Sequence, residues 1–258
     1  MKPDQGQIWF HGEDISSWTQ KALRPIRRQI QIVFQDPYGS LNPRMTVGQS
    51  VAEGFRTLGM PRGAERRNRL DELFEMVGIS PASADRYPHE FSGGQRQRVG
   101  IARALSVSPS LVICDEPISA LDVSIQAQII NLLKDLQEKL GLSYLFISHD
   151  LNVVGYLCHT IAVMYQGQIM EYGPTETIFE RPSHPYTRSL LAAVPSQKGE
   201  FLPAPKSGTV DANTPTVPEI GCKYQRECSH ETPTCRQDNI SFNQVSPGHF
   251  VRCNHAPT

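Results

Sequence analysis

The 258-residue chain lacks the features of a membrane or secreted protein, and it has no excess of charge of either sign. No apolar run approaches the roughly 18 residues of a membrane span, and the first residues have no apolar region of the kind found in secretion signals. The 25 basic and 26 acidic residues nearly cancel, so bulk charge does not indicate nucleic acid or anionic lipid as a partner. We therefore expect a soluble, cytoplasmic protein whose membrane association, if any, is made through a partner.

Cysteines are few, and their spacing is not that of a disulfide framework. Cys114 and Cys158 lie in apolar segments and are expected to be small buried side chains. The other four crowd into the C-terminal tail with the spacing C-x5-C-x6-C-x17-C: Cys222, Cys228, Cys235 and Cys253. A structural zinc site usually has a tighter C-x2-4-C pair, whereas four thiolates without it are compatible with an iron–sulfur cluster. Zinc and four unligated cysteines stay open as alternatives.

Strand and helix patterns alternate along most of the chain, which predicts an α/β fold with a parallel sheet. Strands are predicted at 7–10, 30–34, 111–114 and 144–147, and a hairpin at 161–172 turned at Gln166-Gly167. Helical periodicity covers much of 46–77, then 95–105, 126–140 and 186–193, with Gly141 ending the third. The proline-rich segment 195–221 is predicted to be a linker, which leaves 222–258 as a separate cysteine-bearing tail.

A glycine-containing turn precedes the helix predicted at 95–105. Its residues are Ser92, Gly93, Gly94 and Gln95. The glycines allow backbone N–H groups to approach a ligand, the serine supplies a hydroxyl, and the helix adds the positive end of its dipole. The turn is therefore suited to a terminal phosphate, although a Ser-Gly-Gly turn seen alone is usually an ordinary helix cap.

The strand predicted at 111–114 leads into two adjacent carboxylates, Asp115 and Glu116. The carboxyl edge of a parallel sheet is where α/β folds bind ligands. Asp115 is suited to Mg2+, usually through water, because Mg2+ prefers oxygen ligands and keeps part of its hydration shell. Glu116 is placed to polarise an attacking water as a general base.

The turn and the strand together resemble the signature and Walker B motifs of ABC-type ATPases. That resemblance implies ATP and Mg2+ as ligands and an ABC-type, P-loop NTPase-like nucleotide-binding domain over 1–194, with a helical subdomain at about 37–106. It identifies Gln35 as the Q-loop glutamine and Ser119–Asp122 as the D-loop, with Asp122 at its end. It identifies His149 as the switch histidine, a donor near the γ-phosphate that steadies the transition state.

Two longer segments, 33–44 and 184–191, resemble bacterial oligopeptide and dipeptide importer subunits, a group that also includes nickel importers. The resemblance implies a second ABC ATPase subunit, two membrane permease subunits and an extracytoplasmic solute-binding protein as partners, with this chain on the inner face of the membrane and no nucleic acid. It also implies a [4Fe–4S] cluster in the tail. A non-transport ABC-type ATPase and a non-catalytic partner subunit are the alternatives.

One motif of the family is missing, since no G-x-x-x-x-G-K-[ST] phosphate loop occurs in the sequence. Its place in the family order would lie before Met1, so we expect an N-terminally truncated fragment rather than a naturally degenerate subunit. Without the loop, the chain alone is expected neither to bind nor to hydrolyse ATP appreciably. It would still offer residues 92–95 in trans to a nucleotide held by a partner.

Overall fold

The computed structural model describes residues 3–59, 63–193, 220–237 and 240–255, and the chain divides into two units, Met1–His149 and Asp150–Thr258. The first unit contains a short antiparallel pair and a three-stranded sheet. These strands are β1 (Trp9–Phe10), β2 (Glu13–Asp14), β3 (Ile30–Val33), β4 (Leu111–Asp115) and β5 (Ser143–Ile147). The larger sheet is parallel throughout and has the order β3-β4-β5, which confirms the predicted parallel sheet. The carboxyl ends of all three strands therefore lie at one edge.

The described residues of the first unit form six α-helices: α1 (Leu23–Gln29), α2 (Pro37–Ser40), α3 (Val47–Thr57), α4 (Ala64–Met76), α5 (Gly93–Leu105) and α6 (Val123–Leu140). Helices α3, α4 and α5 pack on one another and bury large apolar side chains such as Phe55, Phe74 and Ile101. Thr46 and Gln49 form a capping box at the start of α3. Helix α1 was not predicted, because it is short, contains Pro25 and buries no residue.

Helix α6 begins three residues earlier than its apolar periodicity indicates, because Asp122 adopts the extended backbone of an N-cap residue. It ends as predicted at Gly141, whose φ of 64° places it in the left-handed region that favours glycine. In the described ranges, no helix is long and apolar enough to cross a membrane.

The second unit is built around an antiparallel sheet of order β6-β7-β9-β8. Its elements are α7 (Leu151–Leu157), β6 (Thr160–Tyr165), β7 (Gln168–Pro174), α8 (Thr175–Glu180), α9 (Pro185–Ala192), β8 (Asn243–Ser246) and β9 (His249–Val251). Strands β6 and β7 form the predicted hairpin, with positive φ at both Gln166 and Gly167.

The C-terminal tail contributes β8 and β9 to this sheet, and β9 pairs with β7. A small core joins Met170 of β7 to Cys222, Tyr224, Cys235 and Ile240 of the tail. The predicted linker falls almost entirely outside the described residues, and the domain division made from the sequence stays a prediction. All six cysteines lie in the described ranges and none forms a disulfide; Cys114 is buried as expected, and Cys158 is partly buried.

Candidate functional site

Three polar side chains meet at the carboxyl edge of the parallel sheet. Gln35 follows β3, Glu116 follows β4 and His149 follows β5. The Gln35 Nε2 group donates to Glu116 Oε2 at 2.9 Å, and His149 Nδ1 lies 3.1 Å from Glu116 Oε1. Each oxygen of the carboxylate thus has its own partner, and the three residues form one hydrogen-bonded group.

The backbone at Glu116 is strained, since its φ of 43° lies in the left-handed region that non-glycine residues seldom occupy. Its N–H donates to the Ile147 carbonyl at 3.0 Å, which ties the end of β4 to the end of β5. Such strain costs on the order of 1–3 kcal/mol and concentrates at functional sites. Here it turns the carboxylate toward Gln35 and His149.

Asp115 is the last residue of β4 and is partly buried. It lines a cavity of about 620 Å³ together with Gln35, Asp36, Ser40 and Arg103. No group of three histidine, cysteine or acidic side chains in the described ranges is arranged to hold one metal ion. A single carboxylate still fits Mg2+, which commonly binds proteins through one or two carboxylates and keeps several waters.

The signature-like turn forms a capping box at the start of the 13-residue helix α5. Ser92 Oγ accepts from the Gln95 N–H at 3.3 Å, and Gln95 Oε1 accepts from the Ser92 N–H at 3.0 Å. Both side chains remain exposed. The turn is therefore a helix cap and also an accessible helix N-terminus, so its two interpretations do not exclude each other.

The D-loop-like segment packs beside this turn. A Cβ added to Gly93 would lie 3.3 Å from Leu121 Cδ2, and one added to Gly94 would lie 2.4 Å from Ile125 Cγ2. Gly94 is therefore required by the close approach of α5 and the start of α6. Asp122 is exposed and makes no side-chain capping bond. The hydrogen bonds of residues 92–95 and Asp122 do not join them to the Gln35–Glu116–His149 group.

The four tail cysteines converge although they are far apart in sequence. Burial raises the pKa of Cys222 to about 11, and the other three thiols contribute to the rise. Burial likewise raises the pKa of Cys228, with smaller contributions from Cys235 and Cys253. Three of the sulfurs accept a backbone N–H two residues ahead, from Tyr224, His230 and His255. In the described part of the chain, no three of these four thiols are arranged as ligands of a single metal ion.

Sequence reasoning missed two groups of buried charge. On α5, Arg96 lies beneath the Tyr38 ring and Arg103 donates to the Ser40 carbonyl. In the second unit, Glu171 is fully buried and accepts hydrogen bonds from the Ser183 and His184 N–H groups, while His249 Nε2 lies 2.7 Å away. Arg103 and Glu171 could have been noticed as charged residues within apolar segments, but that signal does not identify their partners. Arg96 lies in a polar stretch and gave no such signal.

Two family models match the chain. The model described as ABC transporter matches residues 1–119, and the model described as oligopeptide/dipeptide transporter, C-terminal region, matches residues 170–235. The first covers the segments that resemble the Q-loop, signature and Walker B motifs, and the second covers β7 to the third tail cysteine.

Curated relatives are similar over nearly the full chain. A putative peptide import ATP-binding protein of Brucella ovis is 46% identical over 98% of this chain and 80% of its own length. The oligopeptide transport ATP-binding proteins AppF and OppF of Bacillus subtilis are 46% and 47% identical over 98% and 97% of this chain, and over 78% and 77% of their own lengths.

Solved structures give the same result for the fold. The cbiO1 subunit of an ABC transporter complex from Clostridium perfringens matches with a TM-score of 0.63 and 32% identity, covering 70% of each chain. An ATP-binding cassette solved as a dimer in a post-hydrolysis state, with ADP and phosphate, matches with a TM-score of 0.58 and 32% identity, covering 68% of this chain and 75% of the other. The chain therefore belongs to the ATP-binding proteins of ABC transporters, in the group that carries the oligopeptide/dipeptide transporter C-terminal region.

Proposed function

We propose that this chain is the ATP-binding subunit that energises a membrane importer of oligopeptides or dipeptides. The observation that carries the proposal is the hydrogen-bonded group of Gln35, Glu116 and His149 at the carboxyl edge of the parallel sheet. The names of the relatives quoted above support peptide as the imported solute.

In the proposed reaction, Glu116 acts as the general base for the water that attacks the terminal phosphate. Gln35 and His149 each bond one of its oxygens, which fixes the direction of the remaining lone pairs. The His149 side chain is 74% exposed and is free to reach a phosphate oxygen as a donor. Asp115 would hold Mg2+, whose charge offsets that of the phosphates when it is bound.

The signature turn is proposed to act on a nucleotide held by a second ATPase subunit. Ser92, Gly93, Gly94 and Gln95 would bind that nucleotide's terminal phosphate, and Asp122 lies in the segment packed beside the turn. Two permease subunits and an extracytoplasmic solute-binding protein complete the proposed assembly, which would place this chain on the inner face of the membrane.

ATP hydrolysis by the assembled complex tests the proposal. The chain is co-expressed with its permease and partner ATPase subunits, and peptide-dependent ATP hydrolysis is measured in the purified complex. Replacing Ser92 by Arg adds bulk and charge at the exposed turn, so hydrolysis should fall about 100-fold, the effect of removing one oxyanion-type donor. Ser80→Arg, at an exposed residue of the same unit, is the control and should retain activity.

Other outcomes would favour the rival functions. A complex that forms without permeases and hydrolyses ATP would indicate a non-transport ABC-type ATPase. Because the sequence contains no phosphate loop, an equilibrium titration of the isolated chain should show no micromolar ATP binding. Micromolar affinity would contradict the expectation that this chain acts on ATP only together with a partner subunit.

We also propose that the four tail cysteines hold an iron–sulfur cluster. Their convergence supports this, as do the backbone N–H groups directed at three of the sulfurs. In an iron–sulfur cluster the cysteines bind different iron atoms. Such a cluster therefore does not require three thiols to surround one ion. The raised pKa of Cys222 means that this thiol is protonated at neutral pH when no metal is bound.

Anaerobic purification tests the cluster. The protein should be brown, with a visible absorbance that Cys228→Ser abolishes and Cys158→Ser, outside the tail, leaves intact. A colourless protein with one equivalent of zinc would establish zinc instead, and a colourless protein without metal would leave four unligated thiols.

A further inference from the structure

Helix α2 is too short to be stable alone, yet it directly follows the proposed Q-loop glutamine. It has four residues, and an isolated helix of that length does not persist in water. Asp36 caps it by accepting the Tyr38 N–H at 2.8 Å, and Pro37 is buried at its first position. At its far end, the Ser40 N–H donates to the Asp36 carbonyl at 3.1 Å and the Ser40 hydroxyl donates to the Pro37 carbonyl at 3.2 Å. These bonds stay within the segment and do not attach it to the rest of the unit, so contacts from elsewhere must fix its position.

Arg96 of α5 supplies the first of these contacts. Its side chain is 5% exposed, and Nε donates to the Pro88 carbonyl at 2.7 Å while Nη2 donates to the His89 carbonyl at 3.4 Å. The guanidinium carbon lies 3.6 Å from the centre of the Tyr38 ring. A cation over an aromatic face contributes about 0.5–2 kcal/mol, more as the cation loses water. The bonds to Pro88 and His89 hold the guanidinium in place, so it anchors Tyr38.

Arg103 supplies the second contact, at the other end of α2. Its Nη1 group donates to the Ser40 carbonyl, one of the carbonyls that a helix end leaves without an internal partner. Burial lowers the pKa of Arg103, and the nearby Glu53 opposes that effect by favouring the charged form. The side chain also lines the cavity that Gln35 and Asp115 share.

The two arginines are seven residues apart on α5, which is close to two helical turns, so both project from one face. We propose that Arg96 and Arg103 are positioning residues that hold α2 on the signature helix and so keep Gln35 in contact with Glu116. The inference rests on the proposed function, because it assigns these arginines a role through the Gln35–Glu116 contact.

The experiment follows the Gln35 side-chain amide by NMR in the full chain. Gln35→Ala assigns the signal, and Glu116→Ala gives its position when the contact is lost. Arg103→Met should move the Gln35 signal to the chemical shift seen in Glu116→Ala. Tyr38→Leu should move the signal to the same chemical shift while leaving the hydrogen bonds of Arg96 intact. Arg103→Lys keeps a charged donor and should restore most of the original shift.

Arg98→Met is the matched control. Arg98 lies on the same helix, and its Nη1 donates to the Val77 carbonyl at 2.7 Å, away from α2. Both Met variants should lose similar stability, but only Arg103→Met should move the Gln35 signal. Hydrogen exchange at Tyr38 and Ser40 should rise about tenfold in Arg103→Met and stay unchanged in Arg98→Met.

The experiment distinguishes failure of the proposed functional site from failure of the positioning role. If Glu116→Ala leaves the Gln35 signal unmoved, the contact does not exist and the site in the proposed function fails with it. If Glu116→Ala moves the signal but Arg103→Met and Tyr38→Leu do not, or if Arg98→Met moves it equally, the positioning role is wrong and the proposed function is untouched.

Discussion

Individual residues in the second unit show how a buried charge is retained in a small sheet. Glu171 has no exposed surface, and its carboxylate has three partners: the Ser183 N–H at 2.7 Å, the His184 N–H at 3.0 Å and His249 Nε2 at 2.7 Å. A buried charge is tolerated only when it is paired and hydrogen-bonded. Glu171 therefore joins β7, the start of α9 and β9 through a single side chain.

Replacing Glu171 by Gln should lower the free energy of unfolding by about 2–4 kcal/mol, because the amide removes the charge and turns a donor toward other donors. Urea unfolding followed by circular dichroism measures the change. Glu176→Gln alters an exposed residue and should stay within about 0.5 kcal/mol of wild type. Equal effects of the two variants would mean that Glu171 does not hold the three elements together.

At the scale of elements, α5 joins several parts of the first unit. Its N-terminus is the signature-like turn, its first turn packs against α6, and its arginines contact α2. Two of its glycines differ in their surroundings. A Cβ on Gly94 would lie 2.4 Å from Ile125 Cγ2, whereas one on Gly100 would meet nothing within 4 Å.

The two glycines give opposite predictions for the same substitution. Gly94→Ala should lower the free energy of unfolding by about 1–3 kcal/mol, since α6 must shift to admit the methyl group. Gly100→Ala should raise it by about 0.5–1 kcal/mol, because alanine favours the helix and has room. Thermal or urea unfolding of both variants measures this, and a stabilised Gly94→Ala protein would show that α5 and α6 do not approach so closely.

For the molecule as a whole, pH should act on stability through the second unit. His184 is 1% exposed, and its Nδ1 accepts the Tyr186 N–H at 3.0 Å at the start of α9. Burial lowers the pKa of His184 to about 4, and the neighbouring Glu171 only partly opposes this. In the unfolded chain the same group titrates near 6.5.

The native state therefore binds fewer protons than the unfolded state between pH 4 and 6.5, so stability falls as the pH falls through that range. The contribution of neutral His184 to the free energy of unfolding is complete above pH 6.5, and about 3 kcal/mol of that contribution is lost by pH 4. His184→Asn keeps a capping acceptor and removes the titration, so its urea unfolding should depend less on pH. His159→Asn, at an exposed histidine, should retain the full dependence.

Short-range features of this protein were determined by its sequence alone. The β6–β7 turn, the end of α6 at Gly141 and the cap at Ser92 involve residues close in the chain, whose backbone preferences and local bonds suffice. The edge where Gln35, Glu116 and His149 meet was also predictable, since each ends a parallel strand. The hydrogen bonds that these three side chains form with one another were not predictable from the sequence.

Only the tertiary structure decided which distant groups are partners. Arg103 and Ser40 are 63 residues apart, and Glu171 and His249 are 78 apart. No periodicity or local preference links such pairs, because each contact depends on how whole elements pack. The four tail cysteines follow the same rule: their spacing indicated a site, but the pairing of β9 with β7 and the core around Met170 bring them together. The polar contacts that join the elements to one another are therefore long-range. Because sequence patterns are informative mainly over short range, they could not predict these contacts.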